Sequence, residues 1–249
     1  MAIKSFKRYE KKFLLSKKQY NELIPILSEY MNPDKFCKDG KNYSIYNIYY
    51  DTKDNSVIRH SIDKPYYKEK LRLRSYSIPK SNDDKVFLEL KKKINGIVNK
   101  RRVVLTLGEA YDFLEKGIKP KTNDYTNNQV LNEIDYYLEN NKIYPTVYIG
   151  YIRNAYFAKD NPDFRITFDS RITTRRDDLA LEKGFYGEDL LEKNQYLMEV
   201  KILGAIPVWF TKILSELKIY NTHFSKYGNE YMRYTQNINK NNLRRKNVC

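Results

Sequence analysis

The chain has 249 residues and carries 46 Lys and Arg against 31 Asp and Glu, a formal net charge of +15. With 14% aromatic residues, and 24 tyrosines among them, it is too rich in core-forming side chains to be disordered. The charge calls for an anionic partner (nucleic acid, a phosphorylated small molecule or a membrane surface), and the two cysteines, Cys37 and Cys249, lack the CxxC or Cys/His company of a zinc site or disulfide framework.

The length suits a single domain, expected over residues 1–236, with a basic, flexible tail over 237–249. The N-terminus carries Lys4, Lys7, Arg8, Lys11 and Lys12 with no apolar h-region, so no signal peptide is expected. The longest apolar stretch, Ile206 to Leu214, contains Lys212 and is too short to span a bilayer, and a cytoplasmic location follows as an expectation.

In chain order, residues 3–15 read as a strand. Ser16 with Gln19 forms a capping box ahead of a helix to about Met31, and Tyr43–Tyr50 reads as a second strand. Residues 53–65 are a loop or short helix, followed by the strand Lys68–Arg74. Val86–Ile94 and Ile97–Leu107 flank Asn95-Gly96, a dipeptide suited to the positive φ values of a tight hairpin turn. Thr106 and Glu109 form a second capping box, and Gly117 closes that helix. A helix over Gln129–Asn140 precedes strands at Thr146–Phe157 and Asp163–Thr173. Residues 174–194 are irregular, Tyr196–Leu203 is a strand, Pro207 opens a helix and another starts near Ser225. Nine glycines and no glycine-rich loop give little support to Rossmann or P-loop chemistry.

The strands share one pattern. In Lys68–Arg74 the cations Lys68, Lys70, Arg72 and Arg74 have one parity and Leu71 and Leu73 the other, so charge and apolar surface lie on opposite faces. An exposed basic edge strand could look the same. The pattern recurs, however, with Arg8, Glu10 and Lys12, with Glu89, Lys91 and Lys93, with Lys100 and Arg102, with Arg165, Thr167, Asp169 and Arg171, and with Glu199 and Lys201. About eight such strands suit an α+β fold, a closed antiparallel eight-stranded β-tunnel with helices packed outside and a charged interior. Arg provides planar bidentate contacts to phosphate, Lys point charge, and a carboxylate among them suits a hard cation shared with phosphate oxygens.

Arg8-Tyr-Glu-Lys-Lys12, Lys70-Leu-Arg-Leu-Arg74, Glu89-Leu-Lys91, Lys100-Arg-Arg102, Tyr151-Ile-Arg153, Phe164-Arg-Ile166, Glu199-Val-Lys201 and Phe224-Ser-Lys226 together resemble the VTC-type polyphosphate polymerase domain of the triphosphate tunnel superfamily. The resemblance runs from residue 4 to about 235. It implies transfer of the γ-phosphate of ATP to a growing polyphosphate chain, with Mn²⁺ or Mg²⁺. It implies that Lys12, Arg72, Arg74, Lys91, Lys100, Arg153 and Arg165 hold phosphates, with Lys201 reaching the same lumen. It places the metal on Glu199 and Lys226 at the tunnel mouth, where His223 stands for a second basic residue. Glu10 is either a second metal contact or an ion-pair partner of Arg8 or a tunnel lysine.

Tunnel triphosphatases resemble Glu-x-Glu-x-Lys in the first strand, and Arg8 replaces the first of those acids here. More cations and fewer carboxylates favour holding a long polyanion. The alternatives are a metal-dependent tunnel triphosphatase or polyphosphatase, and a non-catalytic polyphosphate-binding module. Nucleic acid is not expected, since no RRM, KH or helix-turn-helix signature is present. The expected ligands are ATP and polyphosphate, with a membrane partner left open. His60 reads as structural, and Asp169 as an ion-pair partner of Arg171 or Arg165.

Overall fold

The computed structural model describes residues 8–37, 41–95 and 97–246. The alternating segments form strands β1 (Arg8–Ser16), β2 (Met31–Pro33), β3 (Tyr43–Asp51), β4 (Tyr67–Ser75), β5 (Lys85–Ile94), β6 (Ile97–Thr106), β7 (Tyr144–Ala158), β8 (Arg165–Arg175), β9 (Glu188–Asp189), β10 (Gln195–Leu203) and β11 (Asn221–Thr222). The helices are α1 (Lys17–Tyr30), α2 (Ser56–Ile62), α3 (Leu107–Lys116), α4 (Tyr125–Asn140), α5 (Val208–Glu216) and α6 (Lys226–Lys246). Both capping boxes form, on Ser16 for α1 and on Thr106 for α3, and Gly117 ends α3 in the left-handed region at φ 71°. Asp124 caps α4, which therefore begins earlier than its apolar spacing suggested. Helix α6 continues past Asn237, where the sequence reading placed a flexible tail.

This is a mixed α+β fold built on one large antiparallel sheet of eleven strands, in the order β11-β1-β10-β8-β7-β3-β4-β5-β6 with β2 and β9 as side branches. Of the expected closed, eight-stranded β-tunnel, the antiparallel sheet and the helices packed outside it are present. Eight of the strands are nine residues or longer and three are short. Among the described residues the ends of the sheet are not joined by hydrogen bonds. At β1, Lys12 and Phe13 pair with Thr222 and Asn221 of β11, which takes up part of the edge facing β6. Strands β1 and β6 still approach within 8 Å at Cα, so the sheet is strongly curled.

The pleat sorts side chains between two faces. Outside, Leu71, Leu73, Leu88, Leu90 and Val103 pack under α3 and α4, and Phe164, Ile166, Phe168, Val200 and Ile202 under α1 and α5. No described helix is long and apolar enough to cross a membrane. A third cluster lies on the concave face, where Ile58 of α2 and Tyr227 of α6 meet Ile45, Val147, Ile149, Tyr151 and Leu197. These two helices fill part of the concavity.

Asp51 ties both helices in place. Its carboxylate accepts from the amides of Val57 and Ile58 at 2.9 and 3.0 Å and from the Tyr227 hydroxyl at 2.6 Å. Removing the hydroxyl with Tyr227→Phe is expected to cost about 1.5–3 kcal/mol, the worth of a hydrogen bond to a charged group. Urea unfolding of the two proteins measures this, and equal midpoints would contradict it.

Candidate functional site

The concave face carries two carboxylate hubs surrounded by cations. The first is Glu89 on β5, 1% exposed. Strand register places it directly between Arg72 of β4 and Arg102 of β6. One carboxylate oxygen accepts from Arg72 Nε at 2.7 Å, with Arg74 Nε at 3.9 Å, and the other takes Lys100 Nζ and Arg102 Nε, each at 2.6 Å. Burial alone would raise the Glu89 pKa, but Arg72, Arg74 and Lys100 outweigh it and hold the group far below the usual carboxylate range. The two arginines are also oriented by phenols: Arg72 donates to Tyr49 Oη and Arg74 to Tyr151 Oη, both at 3.1 Å.

The second hub pairs Glu199 of β10 with Asp169 of β8. Arg153 of β7 grips Asp169 through two bonds of 2.6 and 2.7 Å and reaches Glu199 at 3.4 Å. Lys226, at the start of α6, bridges the two acids at 2.5 and 2.9 Å. Lys201 and Lys12 approach Glu199 at 3.7 and 3.8 Å. Burial pushes the Glu199 pKa up, yet Lys226, Lys12, Lys201 and Arg153 together drive it well below its ordinary value. Lys201 shows the opposite balance: burial dominates and lowers it to about 8, with Glu199 only partly compensating.

Several predicted residues sit where sequence parity implied, and others do not. Lys12, Arg72, Arg74, Lys91, Lys100, Arg153 and Lys201 share the concave face with both hubs. Arg165 lies at one end of it, 3.3 Å from Asp34 and over the Phe157 ring. Lys226, expected at a tunnel mouth, is the buried first residue of α6. His223 is exposed and makes no hydrogen bond or ion pair with the described residues. Asp169 pairs with Arg153 and Lys226, whereas Arg171, at φ 48°, turns to the Phe185 ring. Sequence reading missed Glu89 as a hub, although the turn at Asn95 sets Ile94 opposite Ile97 and thereby Glu89 opposite Arg102. Gly96 of that turn lies outside the described residues.

Some polar groups face this surface without counterparts. The ammonium groups of Lys70 and Lys91 have no hydrogen bond or ion pair with the described residues, Lys70 lying over the Tyr227 ring. Burial first, then Lys91, Lys68 and Lys12, lower the Lys70 ammonium to about 7, against a small opposing pull from Asp51. Arg165 Nε and Thr167 Oγ1 are buried with no hydrogen-bond acceptor or donor beside them. A concave surface with spare cations and orphaned buried polar atoms is built for an anionic ligand with many oxygens.

A metal has to be tested against the same side chains. Among the described residues no three His, Cys, Asp or Glu groups gather into a cage. Glu10 and Glu199 do sense one another: burial and Glu199 raise the Glu10 pKa, while Lys91, Lys12 and Lys201 bring it below normal. Two neighbouring carboxylates fit Mg²⁺ or Mn²⁺ when phosphate oxygens complete the shell.

A family profile described as the VTC domain matches residues 7–234. The chain belongs to the VTC domain family. No curated protein sequence matches this VTC domain. Among solved structures it is similar to a Bacillus halodurans protein provisionally assigned as an adenylate cyclase, with 16% identity and a TM-score of 0.53, covering 88% of this chain and 95% of that one. That likeness concerns the fold alone. A Vibrio parahaemolyticus protein with the same provisional assignment and a Pyrococcus horikoshii protein each give 13% identity and a TM-score of 0.46. Each covers 91% of this chain, and 98% and 99% of its own, respectively.

Proposed function

We propose that this VTC domain is a polyphosphate polymerase, transferring the γ-phosphate of ATP to the end of a polyphosphate chain on its concave face. The observation that carries this reading is the unpaired ammonium groups of Lys70 and Lys91 together with the buried, unsatisfied Arg165 Nε and Thr167 Oγ1 on the same face. VTC family membership supports a polyphosphate-related protein. In the reaction a terminal phosphate oxygen of the acceptor bonds to the γ-phosphorus, the bond to the β–γ bridging oxygen breaks, and ADP leaves. The acceptor oxygen is already ionised, so no general base is required. Arg72, Arg74 and Lys100 would spread charge from the transferring group while Glu89 keeps them aligned. Glu199 with Glu10 would hold a divalent cation, whose role when bound is to neutralise phosphate charge.

Incubation with γ-labelled ATP and Mn²⁺, followed by gel separation, tests the proposal. Long labelled polymer is expected. Release of free phosphate alone would assign a triphosphatase, and polyphosphate binding without turnover a binding module. Arg165→Ala is expected to reduce polymer formation at least tenfold while leaving the melting temperature close to wild type, because Arg165 is half-exposed with a single ion pair. Unchanged turnover would remove Arg165 from the site.

The pH dependence follows from Lys70. With its pKa near 7 it is charged below neutrality and loses its proton above it, as does Lys100, which burial likewise lowers to about 7, so polyanion binding should weaken as pH rises. Inorganic tripolyphosphate is expected to bind about tenfold more tightly at pH 6 than at pH 8.5, with a flatter profile in Lys70→Met. Calorimetric titration at both values reads this, and identical profiles would exclude Lys70 as the source.

A further inference from the structure

At one end of the concave face the inward positions change from charged to aromatic. The inward set of β3 begins with Tyr43, that of β4 continues past Arg72 and Arg74 to Tyr76, that of β5 starts with Phe87 before Glu89, and that of β7 ends with Phe157 beyond Arg153. Phe36, in the loop ahead of β3, joins them. The rings form a connected chain, with Phe36–Tyr43 and Tyr43–Tyr76 centroids 6.1 Å apart and Tyr76–Phe87 at 5.2 Å. Each nearby guanidinium lies over one of these rings: Arg102 over Phe87, Arg165 over Phe157 and Arg74 over Tyr76. An apolar rim of this kind would ordinarily be buried. Yet Phe36 is 62% exposed and Tyr76 38%, so two ring surfaces on either side of Tyr43 stay open to solvent.

Inorganic polyphosphate offers nothing for such rings to hold. A nucleoside triphosphate does, because it joins a polyanion to a planar aromatic base. Tyr76 stands four residues beyond Arg72 on the same face, roughly 13 Å along the strand. A ribose and the inner phosphates can bridge such a span.

We propose that this aromatic mouth, with Phe36 and Tyr76 as its accessible rings, stacks the nucleobase of a nucleoside triphosphate whose phosphates lie among Arg72, Arg74 and Arg165. The assignment rests on the phosphate reading of the concave face and adds a means of choosing the donor. A stacked base carries little sequence information, since every base has a π-face, so the mouth recognises nucleotides as a class and favours none strongly. The base anchors the donor at the rim, leaving the γ-phosphate as the end that points inward. Acceptor polyphosphate, lacking a base, gains nothing there.

Titration of ATP and of inorganic tripolyphosphate into wild type, Phe36→Ala/Tyr76→Ala and Tyr76→Phe tests this. The double variant is expected to lose roughly tenfold or more in ATP affinity with tripolyphosphate affinity unchanged, and Tyr76→Phe, which keeps the ring and loses its bond with Arg102, to bind ATP as the wild type does. GTP should track ATP. Equal losses for both ligands, or no loss for ATP, would overturn the proposal. So would a change in oligomeric state with ATP affinity preserved, which would assign the rings to a contact between protein chains. Wild-type protein that binds tripolyphosphate and not ATP would overturn the aromatic mouth and the ATP donor, leaving the phosphate reading of the concave face intact. Protein that binds neither would overturn the phosphate reading and this proposal with it.

Discussion

Glu89→Gln is expected to cost several kcal/mol of stability, more than any other single change on the concave face. The carboxylate is almost fully buried and is the shared anion of Arg72, Arg74, Lys100 and Arg102. Removing one member of a buried ion pair typically costs about 3–5 kcal/mol because its counterpart is left uncompensated. Here several counterparts are left, and they repel one another. The pH dependence has a definite sign. The folded pKa of Glu89 is depressed, so the unfolded chain takes up the proton first as pH falls. Its contribution is fully present above the unfolded carboxylate pKa of about 4.3 and is lost progressively below it. Urea unfolding between pH 5 and 2 should therefore show the wild type losing more stability on acidification than the variant. Added tripolyphosphate should stabilise the variant more than the wild type, since a bound polyanion replaces the missing charge. Parallel acid profiles, or equal stabilisation by tripolyphosphate, would mean that Glu89 does not set the balance.

The alternation in Lys68–Arg74 was enough to assign faces, and Leu71 and Leu73 are buried beneath α3 and α4 as the parity requires. The Glu89–Arg102 pairing was also within reach, since a two-residue turn at Asn95-Gly96 fixes every partner along β5 and β6. Pairings that cross the whole chain were not. Lys226 meets Asp169 because α6 folds back into the concavity, and no local spacing encodes that return. The same holds for Tyr227 and Asp51, separated by 176 residues. The pairing of β11 was hidden for a comparable reason: two residues, Asn221 and Thr222, are too short a run to read as a strand, yet they pair with Lys12 and Phe13 on an edge of β1. Local periodicity reports the face a side chain takes; which strand edges remain free is decided by the tertiary return of the chain.

Glu199→Gln is expected to lower polymer formation about 10²–10³-fold and to weaken its Mn²⁺ dependence, the scale for losing one preorganised electrostatic group at a transition state. The substitution keeps the shape and removes the charge. Its effect on the fold should be milder than that of Glu89→Gln, because Asp169 remains to hold Arg153 and Lys226. The main local casualty is Lys201. Burial already lowers its ammonium to about 8, and Glu199 is the largest opposing influence. Without Glu199 the pKa falls further and the lysine is neutral over more of the neutral range. Any activity left should then rise as pH is lowered from 8 towards 6. ATP binding should survive better than turnover, since Arg72, Arg74 and Lys100 keep their own carboxylate on β5. A purely structural Glu199 predicts something else: a lower melting temperature, with turnover per folded molecule and its Mn²⁺ titration midpoint both unchanged. Measuring the Mn²⁺ midpoint and urea stability on the same preparation separates the two, and an unmoved midpoint would take Glu199 out of the cation site.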